Sequence, residues 1–124
     1  MDSTQEGENL ENNNYALVSA DKKNTILAIK GVMNSDNSHA VESGLLALRA
    51  AHPHGKLSID ASVLDGVSSS GANVLKRMRK NESNMKMINV SPELYETLRE
   101  NGLTKLINIE MARIVPFLSA LTSA

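Results

Sequence analysis

Three consecutive serines between two glycines, in the segment GVSSSGANVL (residues 66–75), form the pattern in this sequence that most invites a chemical role. Gly66 and Gly71 have the spacing of a G-x-x-x-x-G phosphate-binding loop. Ala72 and Asn73, however, stand where such a loop needs a lysine for the phosphates and a hydroxyl for Mg²⁺. The two glycines are also too far apart for a G-x-S-x-G nucleophile elbow. The segment therefore predicts neither nucleotide hydrolysis nor a serine nucleophile.

The three histidines give little support to catalysis or metal binding. His52 and His54 flank Pro53 where a helix is expected to end, which is typical of exposed loop residues, and no cysteine or carboxylate stands beside them. The chain contains no cysteine at all, so thiolate chemistry and disulfides are excluded. We predict that the protein is not an enzyme and binds no cofactor and no metal ion.

Two interpretations of the serine run remain open from the residues alone. Ser68 or Ser69 can simply be the N-cap of the helix that follows, since serine is among the preferred N-cap residues. Alternatively, another protein phosphorylates one of the serines. The free N–H groups and the positive dipole end of a helix N-terminus tolerate an added dianion. A phosphate there would change the surface charge by roughly −1.5 to −2 without unfolding the helix.

Short strands and helices alternate from Tyr15 onward, and their order is ββαβαβαβα. The strands are expected near residues 15–20, 24–32, 56–62, 84–90 and 106–110. The helices are expected from Ser35 or Asp36 to just before Pro53, from the serine run to about residue 80, from Ser91 to Gly102, and over Ile114, Phe117, Leu118 and Leu121. This order predicts one α/β domain: a mixed sheet that opens with an antiparallel hairpin, continues with parallel strands, and has helices packed on it.

The charge distribution separates a short tail from this domain. The first 14 residues contain four acids, no base and one apolar residue after the initiator Met, and we predict that residues 1–14 are a disordered acidic tail preceding a domain of residues 15–124. The remaining residues hold 13 bases and 10 acids, too slight an excess to indicate nucleic-acid binding. No run is long enough for membrane insertion, and no secretory signal is recognisable. We therefore expect a cytoplasmic protein.

Three segments resemble the motifs of the STAS domain, the domain of anti-sigma factor antagonists and of sulfate transporter tails. LSIDASVLDGVSSSGANVL (residues 57–75) is similar to the family's strand with a terminal Asp, here Asp60, followed by the D-S-S-G that opens a helix. NVSPELYETLRENGLTKLINI (residues 89–109) resembles the strand, helix, "GL" and strand that come next. IKGVMNSDNSHA (residues 29–40) resembles the G-x-L-D that precedes the first helix.

The resemblance implies a STAS-like fold and a switch in bacterial transcription regulation. In the family, the first serine of S-S-G is the phosphoacceptor, which corresponds to Ser69. The unphosphorylated form binds a serine kinase of the histidine-kinase-like ATPase fold that doubles as an anti-sigma factor, and a PP2C-type phosphatase reverses the phosphorylation. The expected partner-binding residues are Asn34, Asp36, Ser68, Ser70, Gly71, Ala72 and Asn73.

Each of two family motifs departs from the family pattern, at four positions in all. Ser68 replaces the acid of D-S-S-G, Asn34 replaces the acid of G-x-L-D, and Ala72-Asn73 replace Leu-Gly. An alternative function is therefore a non-phosphorylated accessory subunit of a larger complex, such as a lipid ABC transporter.

Overall fold

The computed structural model describes residues 14–113, and its main sheet has five strands. Its strands are β1 (Tyr15–Ala20), β2 (Asn24–Ile29), β3 (Gly31–Met33), β4 (Lys56–Asp60), β5 (Leu64–Val67), β6 (Lys86–Val90) and β7 (Asn108–Met111). Its helices are α1 (Ser38–Ala51), α2 (Ser69–Asn81) and α3 (Pro92–Glu100), and a 3-10 turn covers Leu103–Lys105. The main sheet has the spatial order β1-β2-β4-β6-β7. Strand β1 is antiparallel to β2, and the remaining neighbours in this sheet are parallel. The predicted mixed α/β sheet is thereby confirmed.

Two expectations fall at the ends of the chain. The predicted last helix, over Ile114, Phe117, Leu118 and Leu121, lies outside the described residues, and so does the predicted acidic tail up to residue 13. Asn14 is described and forms a pair of hydrogen bonds with Lys30. Its side-chain Nδ2 donates to the Lys30 carbonyl at 2.9 Å, and its own carbonyl accepts from the Lys30 N–H at 2.7 Å.

The core forms between one face of the main sheet and the three helices. Leu27, Ile59 and Met87 are paired across β2, β4 and β6, and all three are fully buried. The helices cover this row with apolar side chains at helical spacing, and these side chains belong to the same buried cluster. They are Val41 and Leu45 of α1, Val74, Leu75 and Met78 of α2, and Leu94 and Leu98 of α3. One continuous core therefore fixes the helices on the sheet.

Local signals position most of the element ends. In the β1–β2 turn, the Asp21 carboxylate accepts hydrogen bonds from the N–H groups of Asn24 and Lys23, and these bonds lower the pKa of Asp21. Ser91 accepts from the Leu94 N–H as the N-cap of α3, and Gly102 ends that region in the left-handed conformation. The predicted opening hairpin and the predicted ends of the helix between Ser91 and Gly102 are confirmed.

The predicted cap of α1 is wrong. The N-cap is Asn37 rather than Ser35 or Asp36, and its side chain makes no capping bond. Its amide oxygen instead accepts from the Asn34 N–H at 2.9 Å, and its Nδ2 donates to the Val32 carbonyl at 2.7 Å. The Asn37 side chain therefore closes the loop between β3 and α1. The N-terminal end of α1 is left without a side-chain cap.

Two short strands, β3 and β5, form a small parallel sheet beside the main one. The run NTILAIKGV was expected to be one strand. It divides at Lys30 because Gly31 takes a φ of +75°, a left-handed conformation that redirects the backbone. β5 follows β4 after a three-residue connection, Ala61–Val63. Strand β3 leads into α1, and β5 leads into α2. The pairing of these two strands therefore determines where the first turn of each helix lies.

An ion pair links α1 and α2 on the outside of the core. Arg77 donates from Nε and Nη2 to the two carboxylate oxygens of Glu42, each at 2.8 Å. This hydrogen-bonded contact with the Arg77 guanidinium lowers the pKa of Glu42 and raises that of Arg77.

This pair predicts an acid-dependent contribution to stability. Since the folded state lowers the pKa of Glu42, the contribution is present above the ordinary pKa of a glutamate and is lost as the pH falls through the lower, folded-state pKa. We expect the free energy of unfolding of wild type to exceed that of Glu42→Gln at pH 7, and this gap to shrink below about pH 4. Urea titrations of both proteins across this range measure it, and a gap that does not change with pH would contradict the assignment.

Candidate functional site

The serine run and the loop before α1 lie side by side because β3 and β5 pair in parallel. Met33 pairs with Val67, and the next residue, Ser68, donates its N–H to the Met33 carbonyl at 2.9 Å. This one contact brings together two segments that are more than thirty residues apart in the sequence. The residues predicted to form the site around Asn34 and around Ser69 therefore occupy the same end of the domain.

Ser68 is the N-cap of α2. Its backbone is extended (φ −79°, ψ 177°), and its Oγ accepts a hydrogen bond from the Gly71 N–H at 3.3 Å. Its carbonyl accepts the helical bond from the Ala72 N–H at 2.8 Å. The family acid at this position would also have a side-chain oxygen able to cap. The substitution to serine therefore keeps the capping function and removes a negative charge.

Ser69 is the first residue of α2 and is exposed to solvent. The side chain that is hydrogen-bonded within this first turn is that of Ser68, and Ser70 is half-buried. Of the three serines, Ser69 is the one that is exposed. Ser68 is thus the cap, and Ser69, the residue predicted to be the phosphoacceptor, is its exposed neighbour.

Gly71 and Ala72 face the interior of the domain. Ala72 is 1% exposed, and a Cβ added to Gly71 would lie 2.8 Å from the Met33 carbonyl oxygen. Glycine at this position permits the close approach of α2 to the end of β3. These two residues, predicted to contact a partner, support the site from beneath. Asn73, one turn after Ser69, is exposed.

The loop before α1 forms the second part of the site. The Asn34 side-chain oxygen accepts hydrogen bonds from the N–H groups of Asp36 at 2.9 Å and of Asn37 at 3.2 Å. Asn34 therefore shapes this loop as an Asx turn, and a carboxylate in its place would be able to accept the same bonds. Asp36 is exposed at the tip and is the acid that this loop contributes.

Two residues that position the site were not recognised from the sequence. Met33 receives the Ser68 N–H and packs on Gly71, and Asn37 holds the Asn34 loop closed. A backbone carbonyl leaves no residue-type signal, so the role of Met33 is visible only in the fold. Asn37 carried a signal, because asparagine is a preferred N-cap residue just before a helix.

Two kinds of feature, a metal-binding cluster and a membrane-spanning helix, are not found within residues 14–113. No group of three His, Asp or Glu side chains there is arranged to hold a metal ion. None of the helices described there is both long and apolar enough to cross a bilayer.

Comparison with known proteins agrees with this architecture. The family model described as "Mlab, STAS domain" matches residues 16–111, and no curated protein matches the chain. A putative anti-sigma factor antagonist from Thermotoga maritima superposes with a TM-score of 0.66 at 13% identity, over 86% of this chain and 92% of that one. An anti-sigma factor antagonist from Mycobacterium paratuberculosis gives 0.65 at 18% identity over the same shares.

The anti-sigma factor antagonist SpoIIAA in its unphosphorylated form superposes with a TM-score of 0.59 at 15% identity, over 89% of this chain and 97% of that one. Because these sequence identities are low, the superpositions show a shared fold and nothing further. The family model, in contrast, covers most of the chain, including both loops of the site, from the β3–α1 connection to the first turn of α2. The chain belongs to the STAS domain family.

Proposed function

We propose that this STAS domain is a phosphorylation-controlled protein-interaction switch of the anti-sigma factor antagonist type. Unphosphorylated, it binds a serine kinase of the histidine-kinase-like ATPase fold that also acts as an anti-sigma factor. Phosphorylation of Ser69 releases that partner. The observation that carries the proposal is the placement of Ser69: an exposed hydroxyl at the first residue of α2, beside the Asn34 loop.

The first turn of α2 suits the reversible addition of a phosphate. The helix N-terminus has N–H groups that point outward and a positive dipole end, which stabilise a nearby dianion. Ser68 has no charge, so the new phosphate meets no carboxylate from the preceding residue. Because Ser68 and not Ser69 holds the cap, modification of Ser69 leaves the capping bond to the Gly71 N–H intact. The modified protein is therefore expected to remain folded.

The same phosphate is unfavourable in a protein interface that surrounds a neutral hydroxyl. Burying a charged group without a compensating partner costs several kcal/mol. The kinase that adds the phosphate thus loses its own binding site on the product, and a PP2C-type phosphatase restores it. This cycle takes place in the cytoplasm of a bacterium and regulates transcription, and the STAS domain contributes no catalytic group.

A second candidate function is supported by the departures from the family motif. With Ser68 in place of the acid of D-S-S-G and Asn34 in place of the acid of G-x-L-D, the site has fewer negative charges than the family pattern. Both residues instead serve structural hydrogen bonds. In this alternative, the domain is a non-phosphorylated accessory subunit of a larger complex, such as a lipid ABC transporter, and docks through the same surface.

Phosphorylation by the serine kinase that the unphosphorylated protein captures decides between the two functions. The full chain is incubated with that kinase and ATP, and the modified serine is located by mass spectrometry. We expect one phosphate, on Ser69, and none on Ser69→Ala. Phosphate on Ser68 or Ser70 would refute the residue assignment. If the protein that binds to the unphosphorylated chain has no kinase activity, the switch is refuted and the accessory-subunit function is supported.

A further inference from the structure

Ser69 is one end of a polar stripe that runs along the exposed side of α2. Asn73, Lys76 and Lys80 follow it at spacings of four, three and four residues, so the four side chains lie above one another on one face of the helix. Ser69, Asn73 and Lys80 are exposed, and Lys76 is half-buried. We call these four residues the α2 stripe.

The basic half of the α2 stripe borders a shallow groove of about 440 Å³. Its walls are mainly carbon, from the methylene groups of the basic side chains and from Leu106, which is 45% exposed. The Arg79 Nε donates to the Leu106 carbonyl at 2.7 Å, which fastens the loop before β7 to α2 and holds Leu106 at the rim. The groove therefore combines a fixed apolar side chain with cations along one wall.

Of the four cations that line the groove, Arg77 is paired with Glu42, and Arg79 donates to the Leu106 carbonyl but forms no ion pair among residues 14–113. Lys76 and Lys80 form neither an ion pair nor a side-chain hydrogen bond among these residues, so both are available to a partner. None of the residues that line the groove is acidic. The electrostatic potential of the groove is therefore positive, and its complement is a segment with carboxylates and an apolar side chain.

We propose that the α2 stripe and the Leu106 groove form a docking surface for an acidic protein segment that carries an apolar anchor. The anchor packs on Leu106, and the carboxylates of the segment pair with Lys76 and Lys80. At 1.5 Å per residue, Lys76 lies about 10 Å along the helix from Ser69. A segment that follows the stripe thus contacts both, and the link to phosphorylation, though not the docking itself, rests on the proposed function.

The shape of the surface favours a polypeptide over a lipid bilayer. A bilayer contacts basic residues spread over a broad face, whereas here Lys76 and Lys80 lie in one line along a helix. Of the two arginines beside them, Arg77 is paired with Glu42, and Arg79 is bonded to the Leu106 carbonyl. The groove is bordered by five residues of α2 and by Leu106, so it follows one helix rather than a broad face. Such a groove accepts one segment of chain.

A peptide of defined sequence tests the docking surface, whatever the natural partner is. The probe is a fluorescent peptide of alternating glutamate and leucine, with a matched peptide of alternating glutamine and leucine. Fluorescence anisotropy measures binding of each to the full chain at low and at high salt. We expect the glutamate peptide to bind more tightly and to lose affinity in high salt.

Three variants locate the site. The double variant Lys76→Glu/Lys80→Glu is expected to bind the glutamate peptide about tenfold less tightly, and Leu106→Ser several-fold less tightly. The control Lys22→Glu/Lys23→Glu makes the same change of charge in the exposed β1–β2 turn and is expected to bind within about twofold of wild type. Circular dichroism confirms that each variant is folded.

Two results would overturn the proposal. One is equal binding of the glutamate peptide by wild type and by the Lys76→Glu/Lys80→Glu variant. The other is binding to phosphatidylglycerol vesicles that depends on Lys76 and Lys80 while the peptide does not bind, which would assign the surface to a membrane. Failure of the Ser69 switch leaves these peptide results unchanged, so the two proposals stand or fall separately.

Discussion

Ser69→Asp is expected to bind the captured kinase about a hundredfold less tightly than the unmodified protein, whereas Ser69→Ala binds as tightly as wild type. The aspartate places a carboxylate where the interface accommodates a neutral hydroxyl, and no basic side chain of the first turn of α2 is available to neutralise it. Alanine removes the hydroxyl but adds no charge and no bulk. Both variants keep the Ser68 cap, so both are expected to be folded.

A matched control separates the local effect of charge from its overall effect. Ser83→Asp adds the same charge at an exposed residue after the C-terminal end of α2, far from the first turn, and is expected to bind like wild type. Isothermal titration of wild type and of each of the three variants with the kinase measures the four affinities. Equal binding by Ser69→Ala and Ser69→Asp would refute the switch and leave the accessory subunit as the function.

Arg49→Ala is expected to lower the free energy of unfolding by about 3 kcal/mol. Arg49, near the end of α1, donates to both carboxylate oxygens of Glu82, at 2.9 and 3.1 Å. It also donates to the carbonyls of His52 and His54 and, at 2.7 Å, to that of Gly55. With its side chain only 14% exposed, its removal leaves the Glu82 carboxylate and three carbonyls without this donor in a partly desolvated place.

Arg77→Ala is the matched comparison, because Arg77 also makes two hydrogen bonds to one glutamate across the α1–α2 contact. Its side chain is 56% exposed and bonds no backbone carbonyl among the described residues. Its removal is therefore expected to lower the free energy of unfolding much less than the removal of Arg49 does. Urea unfolding followed by circular dichroism measures both losses. Equal losses would show that the carbonyl contacts of Arg49 contribute nothing.

The order of the main-sheet strands and of the three helices, and several element ends, could be predicted from the sequence alone, but the small sheet of β3 and β5 could not. The ends of α3 are set by Ser91, Pro92 and Gly102, and the β1–β2 turn is closed by Asp21. Such residues can be recognised in a sequence because each acts on backbone groups within a few residues of itself. The apolar spacing of Val74, Leu75 and Met78 likewise identified the buried face of α2. The resemblance of three motifs to the STAS domain added the fold and a candidate phosphoacceptor.

Only the tertiary structure determined which serine of the run has which role. The sequence left both Ser68 and Ser69 as candidates for the cap, and Ser68 is the cap because the pairing of β3 with β5 directs its N–H to the Met33 carbonyl. That pairing depends on the left-handed turn at Gly31, which divides a run that otherwise has the composition of one strand.

Arg49 and Glu82, which form an ion pair, are 33 positions apart in the sequence. Arg79 and Leu106, which meet at the groove, are 27 positions apart. Residue type and local spacing carry no information about such distant partners. Their contacts follow from how the sheet places the helices, and that arrangement exists only once the core has formed.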